Sequence, residues 1–263
     1  MEAKKMTLDR ILELAQDLSG LAFSSFMVVH LASPIGAAIL GGSGGRSSES
    51  VASSIQLAGR VVYQDGRFRE ALFVWIPLGT HLVVALLRRV TRINRQRKIR
   101  AQLELRAQAA EDLPPSGRRT RAMTQSTAQW LMSYLPSTSH AIAGYVAIPF
   151  LINHIVNHRL SASPSLRSFQ FVSFNLQQYP LLASIQYAGL LSASLYHALV
   201  GLDQVFSRLL PSSTKPPGRK SIASSQRSVS VRLGWLGIIG TVGFGIRKLA
   251  REPVPLWMAR RYR

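Results

Sequence analysis

Long stretches of this chain carry no acid or strong base, and that fixes the solvent it folds in. Between Asp17 and Arg46 lie 28 residues without Asp, Glu, Lys or Arg; the gaps Glu70 to Arg88, Arg121 to Arg159 and Arg167 to Asp203 hold 17, 37 and 35. A fifth gap, 233–246, holds only 14. A helix that crosses a bilayer needs roughly 20 mostly apolar residues, within a range of about 17–25. The pattern predicts four spanning helices near 18–40, 70–89, 138–158 and 180–205. A fifth helix at 230–248 falls in the length class that often fails to span. The competing reading is a soluble all-α protein, but a soluble helix shows a polar stripe at 3.6-residue spacing. Residues 71–87 offer only Thr80 and His81 to water. The expected fold is an all-α, multi-pass transmembrane helical bundle.

Outside those segments the chain is strongly basic, with 32 Lys+Arg against 12 Asp+Glu, a net charge of +20. Counted by side, with all five segments crossing, 20 basic residues fall with the N-terminus and 12 on the other face. The bias predicts a cytosolic N-terminus. The first 17 residues read as a cytosolic segment and not as a cleaved address, because Glu2, Asp9, Glu13 and Asp17 interrupt the basic residues. The loop 88–121 opens with Arg88, Arg89, Arg92, Arg95, Arg97, Lys98 and Arg100, then a helix-favouring run that ends at Pro114-Pro115. It is expected to prolong the second helix out of the bilayer. There it marks topology or contacts anionic lipid headgroups, at about 1 kcal/mol per basic residue near a charged surface. Nucleic acid is the weaker reading of this charge, since no aromatic-interleaved face accompanies it. Residues 41–54 and 206–229 read as linkers, the first Gly/Ser-rich, the second a disordered Ser/Pro/basic stretch. Residues 249–263 form a basic tail.

Four of the six histidines lie inside the four long segments: His30, His81, His154 and His197. Gly20 precedes His30 by ten residues, as Gly144 precedes His154; Tyr63 precedes His81 by eighteen, as Tyr179 precedes His197. Helices one and two thus read as a diverged copy of helices three and four, an internal two-helix repeat. Measured from helix ends near 90 and 206, His81 and His197 lie at one depth and are expected to face each other. His30 and His154 lie nearer the opposite surface. Paired imidazoles across a bundle are the axial ligands of a b-type haem; they serve equally as neutral polar cross-links between helices. His140 and His158 read as interfacial residues. Gly234, Gly237, Gly240 and Gly243 recur every third residue in the last segment and are expected to dock it on the bundle. With no cysteine, no mid-membrane acid and no phosphate-cradling loop, no catalytic set and no metal site outside haem is expected.

The residues Arg60, Tyr63-Gln64, Glu70, His81 and Arg88, then Gly144-Tyr145, Pro149, His154 and Arg159, then Tyr187, Tyr196-His197 and Gly201, carry a resemblance. In order and membrane placement they resemble the fungal mitochondrial Mdm-ten-complementing adaptor family over most of 18–205. That family's architecture is similar to the five-helix cytochrome b anchors of succinate dehydrogenase and fumarate reductase, with His30, His81, His154 and His197 on comparable helices. The resemblance implies a multi-pass, non-enzymatic adaptor of the mitochondrial outer membrane. It would recruit a bridge-like vacuolar-sorting lipid-transfer protein to organelle contact sites and support lipid homeostasis, with scrambling of delivered phospholipid as an added activity. A di-haem cytochrome b and a purely structural scaffold are the alternatives. Recruitment in the family uses an N-terminal Pro-x-Pro peptide. Here the only such peptide is Pro253-Val254-Pro255, close to the other end of the chain.

Overall fold

The computed structural model describes residues 7–42, 45–66, 68–111, 136, 138–160, 169–209, 222–255 and 260. It contains seven α-helices and no strand among them. These are α1 (Leu8–Leu40), α2 (Ser48–Gln64), α3 (Ile76–Glu111), α4 (Ser139–Ile155), α5 (Phe169–Gln178), α6 (Pro180–Leu209) and α7 (Ile222–Leu249). A π-helical turn, Ala71–Trp75, leads into α3, and another, Val156–Leu160, prolongs α4.

Four helices are long and apolar enough to cross a membrane: Leu8–Leu40, Ala71–Arg106, Ser139–Leu160 and Val229–Leu249. They leave Val28 72%, Leu86 62% and Ile152 57% exposed to their surroundings. In water each such side chain forgoes about 1.5–3 kcal/mol of burial; in hydrocarbon nothing is lost. The chain is a multi-pass membrane protein built as an all-α bundle. The shortest charge gap therefore yields a candidate span, whereas α6, expected to be one, does not qualify by hydropathy. Gln186, Tyr187, Ser192, Ser194, Tyr196 and His197 dilute its apolar content. The helix holds its neighbours through one of these side chains and through one backbone carbonyl. Gln186 Nε2 donates to the Phe150 carbonyl of α4 at 2.6 Å, and the Ser192 carbonyl accepts Trp235 Nε1 of α7 at 3.2 Å.

Two linkers expected from composition are partly helix. Residues 48–54 open α2: Ser47 caps it by accepting the Ser50 N–H at 3.1 Å, with Glu49 in the first turn. Residues 222–229 begin α7, while 210–221 and Pro114-Pro115 lie outside the described residues. The basic extension is helical as expected, through Glu111.

Helix α1 packs on α2, α3 and α7, and α4 packs chiefly on α6. The end of α1 is closed from outside itself: Lys248 Nζ of α7 donates to the Ala38 and Gly41 carbonyls at 2.9 and 2.8 Å. Those carbonyls have no partner within their own helix, so the cation serves as a cap. Beside it Ala37, Ala52 and Leu249 are fully buried against Phe169. The glycine stripe does not do the expected docking. A side chain added at Gly234, Gly237, Gly240 or Gly243 would meet nothing, and it is Gly245 that lies against the Pro34 carbonyl with no room for a Cβ. Close helix approach needs small residues at the crossing point itself. That point falls at the end of α7, where the capping lysine pulls it in.

The repeat is broader than two helices. Each half consists of a long helix, a short one and a second long one, α1–α2–α3 and α4–α5–α6, and the short α2 and α5 pack together. Both halves run in the same direction, the arrangement of parallel repeats about an axis along the membrane normal.

Candidate functional site

Two pairs of imidazoles join the halves. His81 of α3 faces His197 of α6 with ring centroids 5.9 Å apart and planes at 82°. His30 of α1 faces His154 of α4, also at 5.9 Å, with planes at 80°. Both expected pairs form, one toward each end of the bundle.

The first pair is tightly seated. Each ring packs on a glycine of the other long helix in its own half: His81 on Gly20, where an added Cβ would lie 3.4 Å from Cε1, and His197 on Gly144, where it would lie 2.8 Å away. Each ring also donates Nδ1–H to the carbonyl four residues before that glycine. His81 binds the Gln16 oxygen at 3.3 Å, and His197 binds the His140 oxygen at 3.0 Å. The repeat thus reproduces contacts as well as spacing. Donation from Nδ1 leaves Nε2 as the acceptor, which is how metal-ligating histidines are oriented. His140, at the start of the candidate span Ser139–Leu160 and so at the boundary expected for it, also stacks on His197 at 4.1 Å with planes at 6°.

The second pair borders space. A cavity of about 270 Å³ lies between the helices around His30 and His154. The buried Nδ1 of His154 has no hydrogen-bond partner among the described residues. His158, also expected at the interface, stacks beside His154 at 4.6 Å, and its Nε2 lies 3.1 Å from the Tyr187 hydroxyl. The cavity's polar rim is built where α3 begins and α4 ends. Arg159 holds Glu70 in a two-pronged ion pair, Nε to Oε1 at 2.7 Å and Nη2 to Oε2 at 2.5 Å, and Trp75 Nε1 donates to the same carboxylate at 3.1 Å. Both π-helical turns abut this ion pair, one just after Glu70 and one containing Arg159; π-turns are frequent at functional sites. Arg60 and Tyr63 of α2 complete the rim. Burial pushes the Tyr63 hydroxyl above its usual range, against the opposing pull of the Arg60 guanidinium beside it, so the phenol stays protonated.

Sequence reading missed the ion pair and the cavity as such. A signal existed: an acid just before one apolar segment and a base just after another, both at the same end of the bundle. The Tyr63/Tyr179 match does not yield equivalent positions, since Tyr63 is buried against Phe26 and Tyr179 is exposed. Of the basic extension, Arg88 donates to Gln16 Oε1 at 2.5 Å and pairs with Glu13 at 3.8 Å, and Arg95 pairs with Asp9. Those two brace α3 against α1. Pro253 and Pro255 follow the end of α7, at the opposite end of the bundle from this extension. There the segment is folded down: Val254 packs on Phe174, and Gln177 Nε2 donates to the Ala250 and Glu252 carbonyls at 3.2 and 2.6 Å. Pro253-Val254-Pro255, the expected partner-binding peptide, thus lies at the end of the bundle away from the start of α1.

Among the described residues no group of three or more His, Cys, Asp or Glu side chains is placed for a bare metal ion. Two imidazoles from facing helices are the axial set of haem b, which also needs a slot between them for its macrocycle; of the two pairs, His30 and His154 border a cavity. His81 with His197 and His30 with His154 supply the imidazoles, Gly20 and Gly144 seat the first pair, and His154 retains a nitrogen with no partner among the described residues. No protein-family model, no curated protein and no solved structure matches this chain.

Proposed function

We propose that this chain is a non-enzymatic adaptor of the mitochondrial outer membrane, in the manner of the family it resembles. It would recruit a bridge-like lipid-transfer protein to organelle contact sites and sustain lipid homeostasis, with scrambling as an accompanying activity. One observation supports this reading above the others. Arg60, Tyr63, Gln64, Glu70, His154, Arg159 and Tyr187, seven residues of the resemblance spread over three stretches of sequence, meet around one cavity. Scattered residues that converge in space point to a shared site. The test is localisation: deletion of the chain should release the lipid-transfer protein from mitochondria, and unchanged localisation defeats the reading. Scrambling is tested in vesicles carrying a leaflet-specific fluorescent lipid, where bleaching that stops at half the signal removes that activity.

The facing histidines favour a second reading, a di-haem cytochrome b. His81 and His197 would hold one haem, His30 and His154 the other, and the group would supply one-electron chemistry when bound. The protein's part is to aim each imidazole, which the Gln16 and His140 carbonyls do for the first pair by accepting from Nδ1–H. A Soret band in the purified chain supports this reading, and a colourless preparation from haem-replete cells ends it.

A further inference from the structure

We infer that the cavity beside His30 and His154 is a binding site for one anionic glycerophospholipid, with its phosphate at the Arg60 end and its acyl chains along the apolar walls. The inference rests on neither reading of the function above.

Three observations carry it. The first is the division of the walls. Gln56, Arg60, Gln64, Glu70 and Arg159 gather at one end of the lining, and most of the rest is apolar, with Phe26, Met27, Leu78, Leu151, Leu190 and Val242 alongside the imidazoles of His30 and His154. That is the shape of an amphiphile. The second is depth. Glu70 immediately precedes the candidate span Ala71–Arg106, and Arg159 closes the span Ser139–Leu160. The polar end therefore lies at headgroup level and the apolar body reaches into the hydrocarbon layer, the orientation of a phospholipid in its own leaflet. The third is charge. The lining carries two guanidiniums, Arg60 and Arg159, against one carboxylate, Glu70, a net positive charge. A planar guanidinium suits a phosphate, which it can hold by two parallel hydrogen bonds. His154 adds a buried nitrogen that has no protein partner among the described residues, on the same wall.

The lipid and a haem on His30 and His154 would compete for this space, which makes the two separable. The full chain, purified in mild detergent, is melted with palmitoyl-oleoyl phosphatidylglycerol, with the phosphatidylcholine of the same chains, with dioleoylglycerol and with inorganic phosphate. Native mass spectrometry counts retained lipid, and a pyridine haemochromogen assay counts haem. We expect phosphatidylglycerol to raise the melting midpoint more than the other three and to be retained at one per chain. Arg60→Gln and Gln56→Glu should each weaken its affinity by roughly tenfold, the effect of one charge-assisted contact, and change the response to phosphatidylcholine, whose phosphate is offset by its own choline cation, by less. Gln56→Glu keeps the side-chain volume and decides the matter if Arg60→Gln does not fold. Equal responses to the two phospholipids overturn the inference. So does a response to inorganic phosphate alone, which marks a free-anion site, or two haems per chain, which assigns the cavity to the cofactor. None of these outcomes bears on whether the chain recruits a lipid-transfer protein.

Discussion

At one end of the bundle His81 and His197 are each seated on a glycine and tied to a backbone carbonyl. At the other, His30 and His154 border open volume, and one of their nitrogens has no partner among the described residues. The ring separation is 5.9 Å in both pairs. Duplication explains the shared separation, and the surroundings explain the divergence. In the first pair the hydrogen bond that fixes the ring goes to a backbone carbonyl one turn before a glycine, so the seat is made of backbone and tolerates drift in sequence. The second pair lies among side chains of α2 and α5, the elements in which the halves differ most. Alike in ring separation, the pairs differ in whether open volume lies beside them.

The largest effect that can break this comparison is spectroscopic. If both pairs hold haem, His81→Ala and His30→Ala should each remove about half of the Soret absorbance of the purified chain, one bis-imidazole site apiece. If only the seated pair does, His197→Ala or His81→Ala abolishes the band and His30→Ala leaves it intact. Equal and complete loss from every single substitution would show that the pairs are not independent sites.

Next in size is the ion pair that closes the open end. Glu70→Gln leaves the Arg159 guanidinium, about a third exposed, without its two-pronged partner. Removing one member of a fully buried pair costs about 3–5 kcal/mol, and an exposed pair is worth about 1 or less. This half-buried case should fall near 2 kcal/mol, read as a lower melting midpoint in detergent. Arg159→Lys should recover little of it, because an ammonium cannot hold both carboxylate oxygens in the same geometry. A midpoint unchanged by Glu70→Gln would show that the pair is not what holds α4 to the start of α3.

Much of this arrangement was legible beforehand. Missing charges located the long helices, and the depth of His81 and His197 below their helix ends predicted that they would meet. The rest was hidden for identifiable reasons. Helix α2 begins inside a Gly/Ser-rich run whose composition suggests a linker, although Ser47 and Glu49 are start signals for a helix. Helix α6 exceeds the length a span needs but mixes polar residues into it, because it serves as an inner wall. The glycines of α7 suggested a docking face, yet the contact is made at Gly245 and Lys248, whose role depends on where α1 ends. Capping between helices is a tertiary event, and no local pattern announces it. The Glu70–Arg159 pair spans 89 positions, so sequence spacing offered nothing to connect them.

A smaller effect tests the seats themselves. Gly144→Ala places a Cβ 2.8 Å from the His197 ring, closer than real contacts allow, whereas Gly20→Ala places one 3.4 Å from His81, an ordinary van der Waals distance. Both substitutions gain helix propensity, about 1 kcal/mol relative to glycine. At Gly144 the ring must move, and overpacking of this kind costs about 1–3 kcal/mol. The net result should be a destabilised protein for Gly144→Ala and a neutral or slightly stabilised one for Gly20→Ala. A moving His197 ring should also stretch its 3.0 Å bond to the His140 carbonyl, so the Gly144 variant should lose order at Nδ1 in histidine-labelled NMR spectra. Identical behaviour of the two variants would mean that the halves are equivalent in strain as well as in spacing.

The smallest expected effect concerns Arg95, which pairs with Asp9 where α3 leaves the bundle. Both side chains are more than half exposed, so solvent screens the attraction and ordering two side chains offsets most of what remains. Arg95→Ala should lower stability by less than about 0.5 kcal/mol, and that difference should vanish at high salt. The contrast with Glu70→Gln is the informative part. Both substitutions break an arginine–carboxylate contact between distant segments, one at each end of the bundle. If burial sets the strength, the two losses differ several-fold and only the Arg95 loss responds to salt. Equal losses, or a salt-sensitive Glu70 variant, would mean that the cavity rim is as well hydrated as the outer surface of α3, and the distinction between a closed end and a ligand-ready end would fail.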